Sequence, residues 1–228
     1  MADRLAVGDP PIEIALRRRK NARRLTLRLT RDGAVMTLPN RAPLSEAADF
    51  ARKQEQWLRR AMAKIPGPVA VTHGATIPFM GEPFEIVTGP GRQCKLVDFT
   101  IAVGGQPDQA GPRLQAWMKE QARARLLAAS DHYAAQIGKS FGRLSLRDTR
   151  SRWGSCTTEG NLMYSWRLIM APPEVLDYVA AHEVAHLQEM NHSRAFWDIV
   201  TEICPDWKSH RDWLRQSGAD LHRYQFTA

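Results

Sequence analysis

The chain has few cysteines and no long apolar run, and these absences exclude several classes of protein. Its three cysteines, Cys94, Cys156 and Cys204, are widely spaced and odd in number, so we expect no disulfide framework. No stretch approaches the roughly 18 uninterrupted apolar residues of a membrane-spanning helix. The start of the chain lacks the apolar segment of a secretory signal. We therefore expect a cytoplasmic protein that has no membrane partner.

Internal repeats and low-complexity segments are also absent from the sequence. Apolar residues make up 43% of the 228 residues and charged residues 25%, which is the balance of a globular protein. This length allows one large domain or two small ones, each with an apolar core.

Positive charge is concentrated near the beginning of the chain. Residues 1–65 contain 15 Lys and Arg against 7 Asp and Glu, a net charge of +8, whereas the remaining residues contain 17 of each. Much of this excess lies between Arg17 and Arg24. Such a patch attracts nucleic acid or protects a strand edge from aggregation. A nucleic-acid-associated module is therefore an alternative function, although an aromatic stacking surface and a groove-reading motif are missing.

Alternating apolar residues predict a small antiparallel sheet in this basic region. Residues 12–19 and 23–30 each place apolar side chains at every second position, as strands with one buried face do. Residues 31–33 (Arg-Asp-Gly) predict a hairpin turn, and residues 34–38 the returning strand.

A helix, further strands and a linker are predicted next. Ser45 is the expected N-cap of one helix that continues to about Lys64. Short strands are expected at residues 76–79, 84–87 and 99–103. The Gly- and Pro-rich residues 104–112 predict a linker. We therefore expect an α+β protein whose residues 1–108 form a β-rich N-terminal region with the basic hairpin and one helix.

The remaining residues, 109–228, are predicted to form a second domain of helices with a small mixed sheet. A long helix is expected over residues 113–137, and strands over residues 144–146 and 162–166. Pro172 and Pro173 open another helix, and two short helices split at Pro205 end the chain.

The strongest chemical motif lies in the helix after Pro173. His182, Glu183 and His186 form the pattern His-Glu-x-x-His. On a helix, residues four apart share one face, so both imidazoles converge on one point and can bind zinc. Glu183 lies at the edge of that face, where it can take a proton from a metal-activated water. Zinc is the expected metal, although imidazole ligands also suit iron, nickel and cobalt.

A catalytic zinc usually has three protein ligands, so a third ligand is expected from outside this motif. His192 is our candidate, because Asn191 can take a left-handed conformation, end the helix and turn the chain back. Ser193 is then the N-cap of the next helix. The competing third ligands are Glu189 and Cys156, with His210 or His222 reaching in from the tail.

The sequence resembles the YgjP-like metallopeptidase family, which is similar to the SprT-like and WLM zincins. The segments that carry this resemblance are 151–156 (SRWGSC), 161–162 (NL), 166–168 (WRL), 171–175 (APPEV), 177–179 (DYV), 182–187 (HEVAHL), 191–193 (NHS) and 196–197 (FW). The resemblance implies a zincin-like catalytic domain with one zinc held by His182, His186 and His192, and a catalytic Glu183. It also implies a peptide or protein substrate, and it leaves the oligomeric state open.

The expected mechanism needs a site for the substrate and a group that stabilises the oxyanion. We expect an extended peptide to pair with an edge strand at residues 162–166. Tyr164, Arg152 and His210 are candidates for stabilising the oxyanion. Trp153 is expected to pack under the helix rather than to contact the substrate.

Overall fold

The computed structural model describes residues 4–30, 33–63 and 66–227 and has an α+β architecture. The chain forms two compact units, Met1–Gly67 and Pro68–Ala228. This division differs from the boundary expected between residues 108 and 109. Residues 68–108 belong to the second unit because their strands share one apolar core with the long helix that follows them. Within the described residues, no helix is both long and apolar enough to span a bilayer.

The first unit contains a four-stranded sheet and two helices. Its elements are β1 (Arg4–Val7), β2 (Ile12–Arg19), β3 (Thr26–Thr30), β4 (Gly33–Pro39), α1 (Leu44–Lys53) and α2 (Glu55–Ala63). The strand order is β1-β2-β4-β3. Because β2 and β4 are parallel neighbours, the sheet is mixed and not wholly antiparallel as predicted.

The alternating apolar side chains of β2 and β4 are buried on one face of the sheet, as predicted. Ile14, Leu16, Met36 and Leu38 are buried in one core with apolar residues of the helices. The predicted single helix is wrong in two respects: it breaks at Gln54, and its N-cap is the extended Pro43 and not Ser45. Arg31 and Asp32 of the predicted turn, and Lys64 at the predicted helix end, lie outside the described residues.

The second unit combines small sheets with helices. Its strands are β5 (Val69–Ala70), β6 (Thr76–Phe79), β7 (Glu82–Gly89), β8 (Cys94–Val97), β9 (Thr100–Gly104), β10 (Leu144–Arg147), β11 (Gly154–Cys156), β12 (Leu162–Ser165) and β13 (Tyr224–Gln225). Its helices are α3 (Pro107–Gln136), α4 (Pro173–Ala185), α5 (Arg194–Ile203) and α6 (Trp207–Gln216), with 3₁₀ turns at Trp166–Met170 and Gly218–Arg223. The strands pair in the orders β6-β7-β9-β8, β10-β12-β11 and β13-β5.

The predicted linker at residues 104–112 is wrong, because α3 already begins at Pro107. A β-carbon at Gly111 would lie 2.8 Å from the Val71 carbonyl oxygen and closer still to that of Phe226. The glycine therefore allows the first turns of α3 to lie directly against two backbone segments. In this position Gly and Pro mark a closely packed helix start and not a flexible connection.

Helix α4 is the element that positions the candidate site. It begins at Pro173, as predicted, and Val175, Val179 and Val184 bury its apolar face. The split of the tail into α5 and α6 near Pro205 is also confirmed. Because α4 contacts α3, α5 and α6, polar residues at its C-terminal end are held by a rigid surrounding core.

Candidate active site

The C-terminal end of α4 and the following turn bring His182, His186 and His192 together. One ligand nitrogen from each ring can be chosen so that all three lie within 4.8 Å of one another. The ring centroid of His192 lies 5.0 Å from that of His182 and 4.8 Å from that of His186. Among the residues that the structure describes, this is the only cluster of three or more His, Cys, Asp or Glu side chains that could hold a metal ion.

The donor atoms of this histidine triad fit a tetrahedral metal. The Nε2 atoms of His182 and His192 are 3.1 Å apart. Two nitrogens bound to one zinc at tetrahedral angles would lie about 3.3 Å apart. His186 donates its Nδ1 hydrogen to the Glu189 carbonyl at 3.0 Å, which leaves its Nε2 lone pair free. The Nδ1 atom of His182 is buried and has no hydrogen-bond partner among the described residues.

Burial favours the neutral form of two imidazoles of the triad, those of His182 and His186, and a metal ligand must be neutral. Burial, followed by the charges of His186, His192 and Arg211, lowers the pKa of His182 to about 3. Burial also lowers the pKa of His186, although its hydrogen bond to the Glu189 carbonyl acts in the opposite direction.

Helix α5 supports the third histidine. Ser193 accepts a hydrogen bond from the Phe196 backbone nitrogen at 3.3 Å, so the predicted N-cap is confirmed. The fully buried Phe196 ring lies 4.9, 4.4 and 4.8 Å from the rings of His182, His186 and His192.

The turn before Ser193 forms differently from the prediction. Helix α4 ends at Ala185, with His186 as its C-cap, so it stops before Asn191. Asn191 is not among the described residues with positive φ. A turn in which Leu187 and Gln188 donate to the carbonyls of Val184 and Ala185 carries the chain away from the helix.

Glu183 lies beside the triad in a buried position. Only 6% of its surface is exposed. Burial raises its pKa to about 8, and the charge of Arg152 acts in the opposite direction. Gly154 at the start of β11 packs directly against this side chain, because an added β-carbon would lie 2.5 Å from Glu183 Oε1. A buried carboxyl group of raised pKa beside histidines that can hold a metal is typical of a catalytic proton acceptor.

A cleft of about 300 Å³ opens beside His182 and Glu183. Its other lining residues are Arg152, Trp153, Gly154, Tyr178, Val179, Arg211, Leu214 and Arg215. Trp153 therefore lines the cleft, whereas it was predicted to pack under the helix rather than to contact the substrate.

Three residues of the cleft were not predicted from the sequence: Tyr178, Arg211 and Arg215. Tyr178 precedes His182 by four residues and so shares its helix face, a signal that was present in the sequence. The two arginines have no motif that could have revealed them, because only the packing of α6 brings them to the cleft.

The three oxyanion candidates have different positions. Arg152 lines the cleft. Tyr164 is fully buried, and its hydroxyl lies 3.0 Å from that of Ser130, so this candidate is wrong. His210 does not line the cleft among the described residues, and its charge acts instead on Asp177.

The competing third ligands also lie outside the triad. Glu189 contributes its backbone carbonyl to His186. Burial, followed by the charge of Glu183, raises the pKa of the Cys156 thiol to about 11, which opposes its ionisation as a ligand. The His222 ring packs 5.3 Å from that of Trp153. Among the described residues, none of these three side chains joins the convergent nitrogens.

The predicted edge strand at residues 162–166 is wrong. Strand β12 pairs with β10 on one side and with β11 on the other, and Trp166 begins a 3₁₀ turn. Among the described strands, β11 is the sheet edge nearest Glu183, since its first residue, Gly154, contacts that side chain.

The convergent histidines, the buried glutamate and the adjoining cleft are features of a metallopeptidase. The chain belongs to the YgjP-like metallopeptidase family, because the family model described as YgjP-like, metallopeptidase domain, matches residues 23–217. A similar solved structure is the metallopeptidase zymogen of Pyrococcus abyssi abylysin, at 21% identity and a TM-score of 0.38, covering 44% of this chain and 98% of that one. No curated protein matched the chain.

Proposed function

We propose that the chain is a zinc-dependent metallopeptidase with a zincin-like catalytic domain. In this proposal His182, His186 and His192 hold one zinc ion, and Glu183 is the general base. The observation that carries the proposal is the convergence of three imidazoles beside a buried carboxyl group at one cleft. Membership of a metallopeptidase family supports the same reaction class.

The nitrogen donors suit zinc, which prefers three protein ligands and one open position in catalytic sites. When bound, zinc supplies Lewis acidity, which makes a water molecule acidic and polarises the carbonyl of the scissile bond. The hydrogen bond from His186 to the Glu189 carbonyl holds that ring in one orientation and one tautomer.

Glu183 performs the proton transfers in this proposal. Its carboxylate takes a proton from the attacking water and then donates that proton to the leaving amine nitrogen. The packing of Gly154 against the Glu183 side chain fixes the position of the carboxylate oxygens. Such positioning matters because a misplacement of about 1 Å can cost about 100-fold in rate.

The substrate peptide is proposed to lie along β11. An extended chain can pair by strand addition with the edge of β11 that has no neighbouring strand among the described residues, and backbone hydrogen bonds then give affinity. Tyr178 can donate a hydrogen bond to the substrate from the cleft wall. Burial is the main cause that raises its pKa to about 12, so its hydroxyl keeps its proton.

The test is peptide cleavage by Glu183→Gln beside the wild type, with the metal content of each preparation measured. Products from a mixed peptide library are identified by mass spectrometry. We expect unchanged metal content and a rate lower by about 10²–10⁴-fold. Glu174→Gln, the same change in the first turn of α4, is the control and is expected to keep the wild-type rate. Cleavage by Glu183→Gln at the wild-type rate would show that Glu183 is not the base.

Nucleic-acid association of the first unit is a second candidate. Arg17 and Arg19 at the end of β2, and Arg23 and Arg24 after it, are all exposed. Phosphate binding predicts a DNA affinity that falls steeply with salt concentration and is lost in a combined Arg17→Gln and Arg19→Gln variant. An absence of DNA binding at low salt, or an affinity unchanged when these two arginines are replaced, would contradict this function of the basic segment.

A further inference from the structure

The cleft beside Glu183 has an excess of positive charge that hydrolysis alone does not explain. Three arginines line it: Arg152 before β11, and Arg211 and Arg215 on α6. Glu183 is the only carboxyl group among the lining residues, and it is almost fully buried. The wall of the cleft therefore has guanidinium groups in excess over carboxylates next to the proposed reaction centre.

Arg211 is held in a fixed orientation by aromatic rings. Its guanidinium carbon lies 4.5 Å from the ring centroid of Trp207 and 5.4 Å from that of Trp197. These two indoles are themselves stacked, with centroids 4.3 Å apart. Stacking engages the faces of the guanidinium plane and leaves its N–H groups, which lie in that plane, available to an acceptor.

The side chain of Arg211 is partly buried, and buried N–H donors normally have an acceptor. Its Nε atom is buried and makes no hydrogen bond within the part of the chain that the structure describes. Arg215, one turn further along α6, differs because it forms an exposed ion pair with Asp212 at 3.3 Å. A buried donor without an acceptor is costly unless a ligand satisfies it.

We infer that this cleft binds a carboxylate group of the peptide substrate, with Arg211 as its main contact and Arg152, which precedes β11, as a second cation. The planar guanidinium fork matches a carboxylate and can bind it through two parallel hydrogen bonds. The inference rests on the proposed function, because the carboxylate is taken to belong to a peptide. It makes Arg211 a determinant of substrate specificity.

The carboxylate can come from an acidic side chain or from the C-terminus of the substrate. Three alanine-based peptides with a blocked N-terminus distinguish these sources. The first has an internal glutamate and an amidated C-terminus, and the second has glutamine in its place and a free C-terminal carboxylate. The third, neutral peptide has the glutamine and an amidated C-terminus. Binding of each peptide is measured by calorimetry on the full-length Glu183→Gln variant, so that cleavage does not interfere.

We expect one of the two anionic peptides to bind at least about tenfold more tightly than the neutral peptide. Adding Arg211→Gln should remove this preference and leave the affinity for the neutral peptide unchanged. Arg194→Gln, which removes an equal charge from a side chain that is 96% exposed on α5, should keep the preference. If Arg211→Gln fails to fold, Arg152→Gln, an exposed position, is expected to reduce the preference in the same direction.

The identity of the tighter anionic peptide shows which carboxylate is recognised. Any of three results would overturn the inference. These are equal affinity for all three peptides, no binding of either anionic peptide, and a preference that survives the Arg211 or Arg152 change. Cleavage by the wild-type protein is measured separately. Peptides that bind with the expected preference but are never cleaved would contradict the peptidase function alone, whereas cleavage without any preference for carboxylates would contradict this inference alone.

Discussion

Gly154 lies so close to the Glu183 side chain that no other residue type fits at this position without displacing it. A β-carbon at residue 154 would lie 2.5 Å from Glu183 Oε1 and 2.6 Å from Glu183 Cγ. The contact joins the edge strand β11 to helix α4. The backbone of the proposed substrate-binding strand thus also positions the proposed general base.

Gly154→Ala should therefore displace Glu183 and lower peptidase activity by about 100-fold or more. Metal content should stay unchanged, because the three atoms nearest to the added methyl group all belong to Glu183. Gly67→Ala is the matched control, since a β-carbon there meets nothing within 4 Å. Peptide cleavage and metal content are measured on both variants. Wild-type activity in Gly154→Ala would mean that Glu183 does not need its observed position.

The buried Arg167 links Asp148, which follows β10, to the C-terminal tail. We expect the fold to be less stable when Arg167 loses this carboxylate partner. Arg167 donates to both carboxylate oxygens of Asp148, at 2.7 and 3.0 Å, and to the carbonyls of Leu221 and Tyr224, at 2.8 and 3.1 Å. Asp148→Asn should lower the free energy of unfolding by about 1–3 kcal/mol, less than for a fully buried pair because Asp148 is 41% exposed. Denaturant unfolding at neutral pH measures the difference.

The Asp148 contribution should also depend on pH. Burial alone would raise the pKa of Asp148, but the hydrogen bonds and charge of Arg167 outweigh it and lower the pKa. A folded-state pKa below the unfolded one gives stability that is present above the unfolded pKa and is lost as the pH falls through the folded pKa. The difference between the wild type and Asp148→Asn should therefore begin to shrink as the pH falls below about 4, and it should disappear only below the lowered folded-state pKa.

The control for this pair is Asp212→Asn, which removes the partner of Arg215 at 3.3 Å on the exposed surface of α6. It should change the free energy of unfolding by less than about 0.5–1 kcal/mol at any pH. An Asp148→Asn variant as stable as the wild type at neutral pH would contradict a structural role for this ion pair.

The basic segment of the first unit contains one arginine with a structural role. Arg18 Nη1 donates to the carbonyls of Pro39, Asn40 and Ala42, at 3.3, 2.7 and 2.9 Å. Arg18→Gln should therefore cost about 0.5–2 kcal/mol and speed amide hydrogen exchange in the segment before α1.

Arg17→Gln, one residue earlier and exposed, should change exchange and stability little. Hydrogen exchange followed by mass spectrometry compares the two variants. Equal effects of the two changes would mean that the three carbonyl contacts of Arg18 do not stabilise this segment.

Local patterns in the sequence predicted most helices and many of the strands, but not β1, β5, β8, β11 or β13. Period-two alternation placed β2 and β4, and Pro173 and Ser193 marked the starts of α4 and α5. The spacing of His182 and His186 predicted their convergence, because residues four apart share a helix face.

Features that depend on tertiary packing could not be predicted from the sequence. The parallel pairing of β2 with β4 and the central position of β12 depend on which strands become neighbours. Gly111 was read as part of a linker because the sequence does not reveal that two backbone segments pack against it. Arg211 reaches the cleft only through the packing of α6, so no local pattern indicates it.

The most direct test of the central claim is the metal content of the purified protein, measured by mass spectrometry beside the His182→Ala and His192→Ala variants. The account predicts about one zinc per chain in the wild type and its loss in both variants, since each removes one of three ligands. Zinc retained by His192→Ala would contradict the assignment of the third ligand. A wild-type protein that binds no metal when zinc is supplied would contradict the metallopeptidase proposal itself.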